Sequence, residues 1–228
     1  MRTRPGKLSG SDSAQRILLV DDHPLIREGL SDVLGREADL VVCGEAADRQ
    51  EALEKIPAAK PDLAIVDLVL KNSHGLELIK DIHARFPRIR VLVVSMHAEE
   101  LYAERALRAG ASGYLTKEEA TTRVVQAVRK VLAGEIYLSE RAAARVAARV
   151  AGRPREAPCG SGDDLCDREL EVFELIGQGL TTPQVAQHLH LAVPTVETYR
   201  ARIKDKLKLQ DAAELLQHAI RWDMSRQV

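Results

Sequence analysis

The sequence predicts an α/β domain built on a five-stranded parallel sheet, followed by a small all-α domain. Three observations carry that prediction. From Arg16 to about residue 135, short apolar runs alternate with stretches of helical periodicity. Between 136 and 162 the texture turns Ala/Arg-rich and then Pro/Gly-rich. From Leu165 onward the patterns are helical only.

The strands are read in order from "RILLVD" (16–21), "DLVVCGE" (39–45), "DLAIVD" (62–67), "IRVLVVS" (89–95) and "SGYLTK" (112–117). Runs this apolar suit strands covered on both faces. Amphipathic stretches separate them, such as Ile26/Leu30/Val33/Leu34, Leu76/Ile79/Ile82/Phe86 and Val124/Val128/Val131/Leu132. "SERAAARVAARVAG" (139–152) is a helix former, and "RPREAPCGSGDD" (153–164) reads as a flexible connector. Four short helical patterns follow, punctuated by Gly179 and Pro183. The expected divisions are a disordered tail (1–15), the α/β domain (16–135), a helical and flexible linker (136–162) and the helical domain (163–228).

Lys and Arg number 33 against 34 Asp and Glu, a net charge of −1. No global basic field exists, so any nucleic-acid binding must come from a local patch. Aromatics at 3% leave no stacking platform for single strands. The cysteines 43, 159 and 166 form no CxxC pair, which fits a reducing compartment. The polar start lacks the apolar core of a signal peptide, and no run is long enough to span a bilayer, so a soluble cytoplasmic chain with no membrane contact is expected.

On the five-strand reading, Asp21 and Asp22 end the first strand, Asp67 the third, Ser95 the fourth and Lys117 the fifth. Ligands gather at the carboxyl ends of such strands. Each residue alone reads as a turn former, a cap or a solvated lysine; together they make one edge of three carboxylates, a hydroxyl and an ammonium. Carboxylates crowded to within a few Å need a cation, and Mg²⁺ suits an all-oxygen site. A carboxylate beside Mg²⁺ can attack a phosphoryl group, with the lysine neutralising the transferred oxygens.

"ILLVDDHP", "DLAIVDLVLKNSHGLELIK", "VLVVSMHAEE" and "AGASGYLTK" resemble the receiver domain of bacterial two-component response regulators, a flavodoxin-like fold. The resemblance implies that Asp67 is the phosphoacceptor and that Asp21, Asp22, Asp67 and the backbone carbonyl of Val69 hold Mg²⁺. It also implies that Ser95 and Lys117 contact the phosphoryl group and that Tyr114 is the switch aromatic, with phosphorylation drawing Ser95 and Tyr114 inward. Tyr114 also reads as a half-buried residue packing on the fourth helix, and the two readings agree. Where many receivers carry Met-Pro after the phosphoacceptor, this chain has Leu70-Lys71, so Lys71 is expected to place a mobile cation near the phosphoryl group and alter its lifetime. Histidines 23, 74, 83 and 97 lack metal-ligand spacing, and His23 reads as part of the turn entering the first helix.

"LCDRELEVFELIGQGLTTPQVAQHLHLAVPTVETYRARIKDKLKL" resembles the LuxR-type helix-turn-helix of the NarL/FixJ class. Thr182 is expected to cap the second helix of this domain, ahead of Pro183. In the helix beginning near Pro194, Val196, Tyr199, Ile203 and Leu207 share one face and should pack inward. The resemblance implies that Glu197, Thr198 and Ala201 face the major groove. Arg200, Arg202, Lys204 and Lys206 are expected on DNA phosphates, together with Thr182 and Thr195. Two departures weaken caps: Cys166 stands in place of the usual Thr opposite Glu169, and Ala192 in place of Ser. Cys166 at a helix N-terminus is also a candidate oxidisable thiol.

The whole chain is then expected to be a non-enzymatic regulator. A sensor histidine kinase or small acyl-phosphate donor would phosphorylate it, and it would bind double-stranded DNA as a homodimer. A pseudo-receiver that binds DNA regardless of phosphate is one alternative. A phosphatase of the haloacid dehalogenase type is another, although Val69 stands where its second Asp belongs. No GxGxxG follows the first strand, which disfavours a dinucleotide-binding dehydrogenase.

Overall fold

A computed structural model of the chain describes residues 14–71, 73–151 and 165–224. Most of the expected tail and the Pro/Gly-rich stretch 153–164 lie outside the described residues. The first domain is a parallel sheet in the order β2-β1-β3-β6-β7. Its strands are β1 (Gln15–Val20), β2 (Leu40–Ala46), β3 (Leu63–Val66), β6 (Arg90–Ser95) and β7 (Gly113–Thr116). The helices between and after them are α1 (Pro24–Gly35), α2 (Arg49–Ala59), α3 (Gly75–Arg85), α4 (Glu99–Ala109) and α5 (Lys117–Leu132).

Period-2 side-chain alternation places helices on both faces. Ile17 and Leu19 of β1 pack with Leu34 of α1 and Val124 and Val128 of α5. Leu18 and Val20 face the opposite way, toward Ile56 of α2, Ile79 of α3 and Tyr102 of α4. Each buried side chain of this size contributes about 1.5–3 kcal/mol, which is why near-continuous apolar runs became central strands. Two details differ from expectation. The loop after Asp67 folds into a small antiparallel hairpin, β4 (Val69–Leu70) with β5 (Ser73–His74). Lys117 is the first residue of α5 and not the last of a strand, because Thr116 caps that helix by accepting the Glu119 N–H.

The helix α6 (Glu140–Val150) follows and packs on α4. The second domain comprises α7 (Asp167–Gly177), α8 (Thr182–His188), α9 (Val193–Leu207) and α10 (Ala212–Met224). Phe173, Val185, Leu189, Val196, Ile203 and Leu215 form its core. α7 and α10 approach closely at Gly177, where a Cβ would stand 2.7 Å from the Ala219 carbonyl oxygen. The expected cap of α8 is corrected: Thr181 is the N-cap and Thr182 the first helical residue. Thr181-Thr182-Pro183-Gln184 is a capping box, in which Gln184 Oε1 accepts from the Thr181 N–H at 2.9 Å and from its hydroxyl at 2.7 Å.

The two domains are docked. One apolar cluster runs from Tyr102 and Ala106 of α4 into Leu165, Leu170 and Phe173. Beside it Arg105 donates to Asp167 Oδ1 at 2.7 Å and to the Leu165 carbonyl at 2.9 Å.

Candidate functional site

The strand ends bring Asp21, Asp67, Ser95 and Lys117 to one edge, as the alternation predicts. Lys117 Nζ lies 2.6 Å from both Asp21 Oδ2 and Asp67 Oδ2. Asp67 Oδ1 accepts the Leu68 N–H at 2.6 Å, which fixes the carboxylate's orientation. Burial pushes the Asp67 carboxyl up; Lys117 opposes the rise and the neighbouring Asp21 adds to it. Burial also works against the charge on Lys117, but the two carboxylates outweigh it and hold the ammonium protonated. One ammonium is shared by two carboxylates, so further positive charge would stabilise the site.

Asp21, Asp22, His23 and Asp67 each present a ligand atom within 4.8 Å of the others. Asp22 Oδ1 is buried without a hydrogen-bond partner, although His23 Nδ1 approaches it to 2.6 Å. A buried carboxylate oxygen without a hydrogen bond, gathered with two further carboxylates, fits a hard divalent cation such as Mg²⁺. His23, read from sequence as a turn residue, therefore belongs to the site. Its N–H donates to Asp21 Oδ1 at 2.8 Å. From the second domain, His190 Nε2 reaches Asp22 Oδ2 at 2.8 Å. Val69 sits on the first strand of the hairpin, paired with His74.

Ser95 is fully buried at the end of β6, and its hydroxyl oxygen accepts the His97 N–H at 3.5 Å. Tyr114 corrects an expectation. It is fully buried, not half-buried, and its hydroxyl donates to the His97 carbonyl at 2.9 Å. Lys71 is exposed at the hairpin tip, lining a cleft with Asp48, Arg49, Ser73 and Arg85. The charges that act on Asp67 come chiefly from Lys117 and Asp21. Cys166 is a free, exposed cysteine whose thiol is pushed up, by partial burial first and by the charge of Glu169 beside it. Glu169 supplies its half of the capping box, accepting the Cys166 N–H at 2.8 Å.

In the second domain, α9 buries Val196 and Ile203 and half-buries Tyr199 and Leu207. Glu197, Thr198, Ala201, Arg202 and Lys206 are exposed on its other side, with Thr182, Thr195, Arg200 and Lys204 at intermediate depth. The helix thus keeps a free outer face in the docked arrangement. Several of these residues have local partners: the Thr198 hydroxyl donates to the Pro194 carbonyl at 3.0 Å, Arg200 Nε lies 3.8 Å from Glu197 Oε2, and Lys206 donates to buried Glu169 at 2.7 Å. As expected from Ala192, α9 has no side-chain cap.

Residues 17–129 match the response regulator receiver domain, and residues 163–219 match the bacterial regulatory proteins of the luxR family. The transcriptional activator DevR/DosR of Mycobacterium tuberculosis is 37% identical over 86% of this chain and 89% of its own length. The chain belongs to the LuxR-type response regulators. ExaE of Pseudomonas putida, also named a transcriptional activator, is 38% identical over 90% of this chain and 95% of its own. Among solved structures, a LuxR-family response regulator from Aurantimonas superposes with a TM-score of 0.56 at 37% identity, covering 61% of this chain and 99% of that one. RcsB of Salmonella enterica, solved on a promoter with a phosphomimetic, shares the fold at a TM-score of 0.60 and 23% identity, over 91% of this chain and 98% of that one. As a response regulator of this type, the chain couples a receiver to a DNA-binding domain in transcription control. Among the described residues, no helix is long and apolar enough to cross a membrane.

Proposed function

We propose that Asp67 accepts a phosphoryl group from a sensor histidine kinase or a small acyl-phosphate donor, and that this controls DNA binding by the helical domain. The observation that carries the reading is Lys117 bridging Asp67 and Asp21 at one buried edge beside Ser95. An Asp67 carboxylate oxygen attacks phosphorus; the bond from phosphorus to the donor's nitrogen or acyl oxygen breaks, and its electron pair leaves with the donor. Asp21, Asp22, Asp67 and the Val69 carbonyl would hold Mg²⁺, which when bound supplies neutralising charge to the phosphoryl oxygens. Lys117 neutralises the same oxygens from the other side, and the Ser95 hydroxyl hydrogen-bonds one of them.

On DNA, Glu197, Thr198 and Ala201 of α9 face base edges, where Glu197 can accept from a cytosine amino group. Arg200, Arg202, Lys204 and Lys206 neutralise phosphates, with Thr182 and Thr195 at the helix starts. A homodimer reading two half-sites about one helical turn apart completes the assembly. Such a regulator works in the cytoplasm and turns over no substrate beyond its own acyl phosphate.

The test compares DNA affinity and oligomeric state with and without acetyl phosphate and Mg²⁺, in the wild type and Asp67→Asn. The wild type should gain affinity and dimerise, and Asp67→Asn should do neither. Equal affinity in every condition would establish the phosphate-independent alternative instead.

A further inference from the structure

α7 is buried continuously from Glu169 to Ile176, an unusual setting for a helix carrying three glutamates. Glu171 and Glu174, three residues apart, share a helix face and meet the receiver. An unpaired buried carboxylate is strongly destabilising, and the receiver supplies the compensating groups. His97 Nδ1 lies 3.0 Å from Glu174 Oε2, and its Nε2 lies 3.7 Å from Glu171 Oε1. The Tyr102 hydroxyl donates to Glu174 Oε2 at 3.4 Å, and its ring packs 4.6 Å from that of His97. His74 Nε2 stands 3.1 Å from Glu171 Oε1, and its Nδ1 accepts the Leu76 N–H. Arg168 donates to Glu171 Oε2 at 2.8 Å from within α7 itself.

Each ring nitrogen of His97 therefore faces a carboxylate, the arrangement of an imidazolium. Burial opposes that charge, but Glu174, Glu171 and the more distant Asp67 outweigh it and raise the His97 pKa. From α8, His188 is held below its ordinary value by burial first and by His97 next.

The backbone of His97 leads to the phosphorylation site. Ser95 is buried at the strand end beside that of Asp67; the His97 N–H reaches Ser95 Oγ at 3.5 Å, and Tyr114 donates to the His97 carbonyl at 2.9 Å. Ser95 and Tyr114 thus both meet His97, which meets Glu174, and Ser95 ends the strand next to that of Asp67.

We propose that His97 is the joint that transmits the state of Asp67 to the DNA-binding domain: its backbone is seated by Ser95 and Tyr114, and its imidazole holds α7 through Glu174 and Glu171. Phosphorylation turns the Ser95 hydroxyl to the phosphoryl oxygens, the Tyr114–His97 seat is lost, and α7 undocks. This inference rests on Asp67 being the phosphoacceptor.

The test measures amide hydrogen exchange across Val172–Ile176 and Tyr102–Ala106 in the full chain, with and without acetyl phosphate and Mg²⁺. Mass spectrometry reads the phosphoryl group on Asp67 in the same samples. Phosphorylated wild type should exchange faster than unphosphorylated. Unphosphorylated His97→Ala and Glu174→Gln should already exchange roughly ten- to hundredfold faster than wild type, as for truncation of a buried charge-assisted bond, while accepting phosphoryl normally. His97→Asn, which keeps a donor near the Nδ1 position, should recover part of the protection. The docking contribution of His97 is complete below its unfolded pKa and lost as pH rises through its raised folded value, so wild-type protection should fall above neutral pH while His97→Ala stays flat. Protection in His97→Ala equal to wild type, or a full further response of that variant to phosphate, overturns the joint. Wild type phosphorylated with its interface unmoved overturns the transmission alone. Wild type that takes no phosphoryl on Asp67 overturns the phosphoacceptor reading and the joint with it.

Discussion

Replacing Gly75 with Ala tests how rigidly the backbone carries Asp67. Gly75 opens α3, and its N–H donates to the Leu68 carbonyl at 2.7 Å. A Cβ there would lie 2.7 Å from Leu68 Cα, and nearer still to the Asp67 carbonyl oxygen, whereas ordinary contact begins at 3.4 Å. Both obstacles are backbone, so the segment carrying Asp67 must recede by about 0.7 Å or more. Two effects oppose each other. Ala is the better helix former by about 1 kcal/mol, while overpacking costs about 1–3 kcal/mol or more when backbone must move. At an overlap this severe the clash wins, with a net loss of about 2 kcal/mol and a fall in melting temperature of roughly 5–8 °C. A displacement approaching 1 Å at a reacting group slows chemistry by about 10²-fold. Calorimetry and the initial rate of phosphorylation by acetyl phosphate measure the two effects. Wild-type values for both would refute the argument that Gly75 is required for close backbone approach.

His190→Ala removes the interdomain partner of Asp22, 2.8 Å away and partly solvent-exposed; an ion pair of that exposure is worth about 0.2–1 kcal/mol. Mg²⁺ titrated calorimetrically should therefore bind about 1.5- to 5-fold more tightly, and unchanged or weaker binding would show that the contact does not compete with the ion. Arg202→Ala should lower the salt slope of binding to a random-sequence duplex by about 1; a slope equal to wild type removes Arg202 from the phosphate contacts. Lys206→Ala should weaken binding and also destabilise the helical domain by about 1 kcal/mol, because it strips buried Glu169 of a cation; loss of affinity with unaltered urea unfolding would mean the ion pair is idle. The Glu171 carboxyl is buried, which alone would raise its pKa, yet His74 and then Arg168 and His97 hold it at about 2 against an ordinary 4.5. Its contribution, on the order of 3 kcal/mol, is present above pH 4.5 and lost as pH falls from there through about 2. Glu171→Gln should be less stable at neutral pH and flatter in that window, and parallel pH profiles for variant and wild type would contradict the assignment.

The phosphorylation edge was legible in the sequence because its signal is local. Alternating side-chain direction makes "DLAIVD" a strand buried on both faces, and a charge that ends such a run must emerge at its carboxyl end. Repeated at Asp21 and Ser95, with Lys117 opening the helix directly after β7, the pattern puts chemistry at one edge before any contact is known. The capping box of Thr181 and Gln184 is equally local, a Thr and a Gln at a spacing of three.

The interdomain cluster left no such trace. Glu171 and Glu174 alternate with Leu170, Phe173 and Ile176, as the solvated face of any amphipathic helix does. His74 and His97 stand at no recurring spacing, and His97 is 77 residues from Glu174. Burial of those carboxylates is a property of the second surface that covers them, and it is the burial that turns solvated charges into an ion-paired latch. The sequence by itself determined the five strands of the parallel sheet, the helices and the residues gathered at the strand ends, because each follows from backbone periodicity over a few residues. Only the tertiary structure decided what α7 rests on, that Tyr114 is fully buried, and that His23 and His190 reach the acidic edge, because those depend on desolvation and pairing between segments distant in the chain.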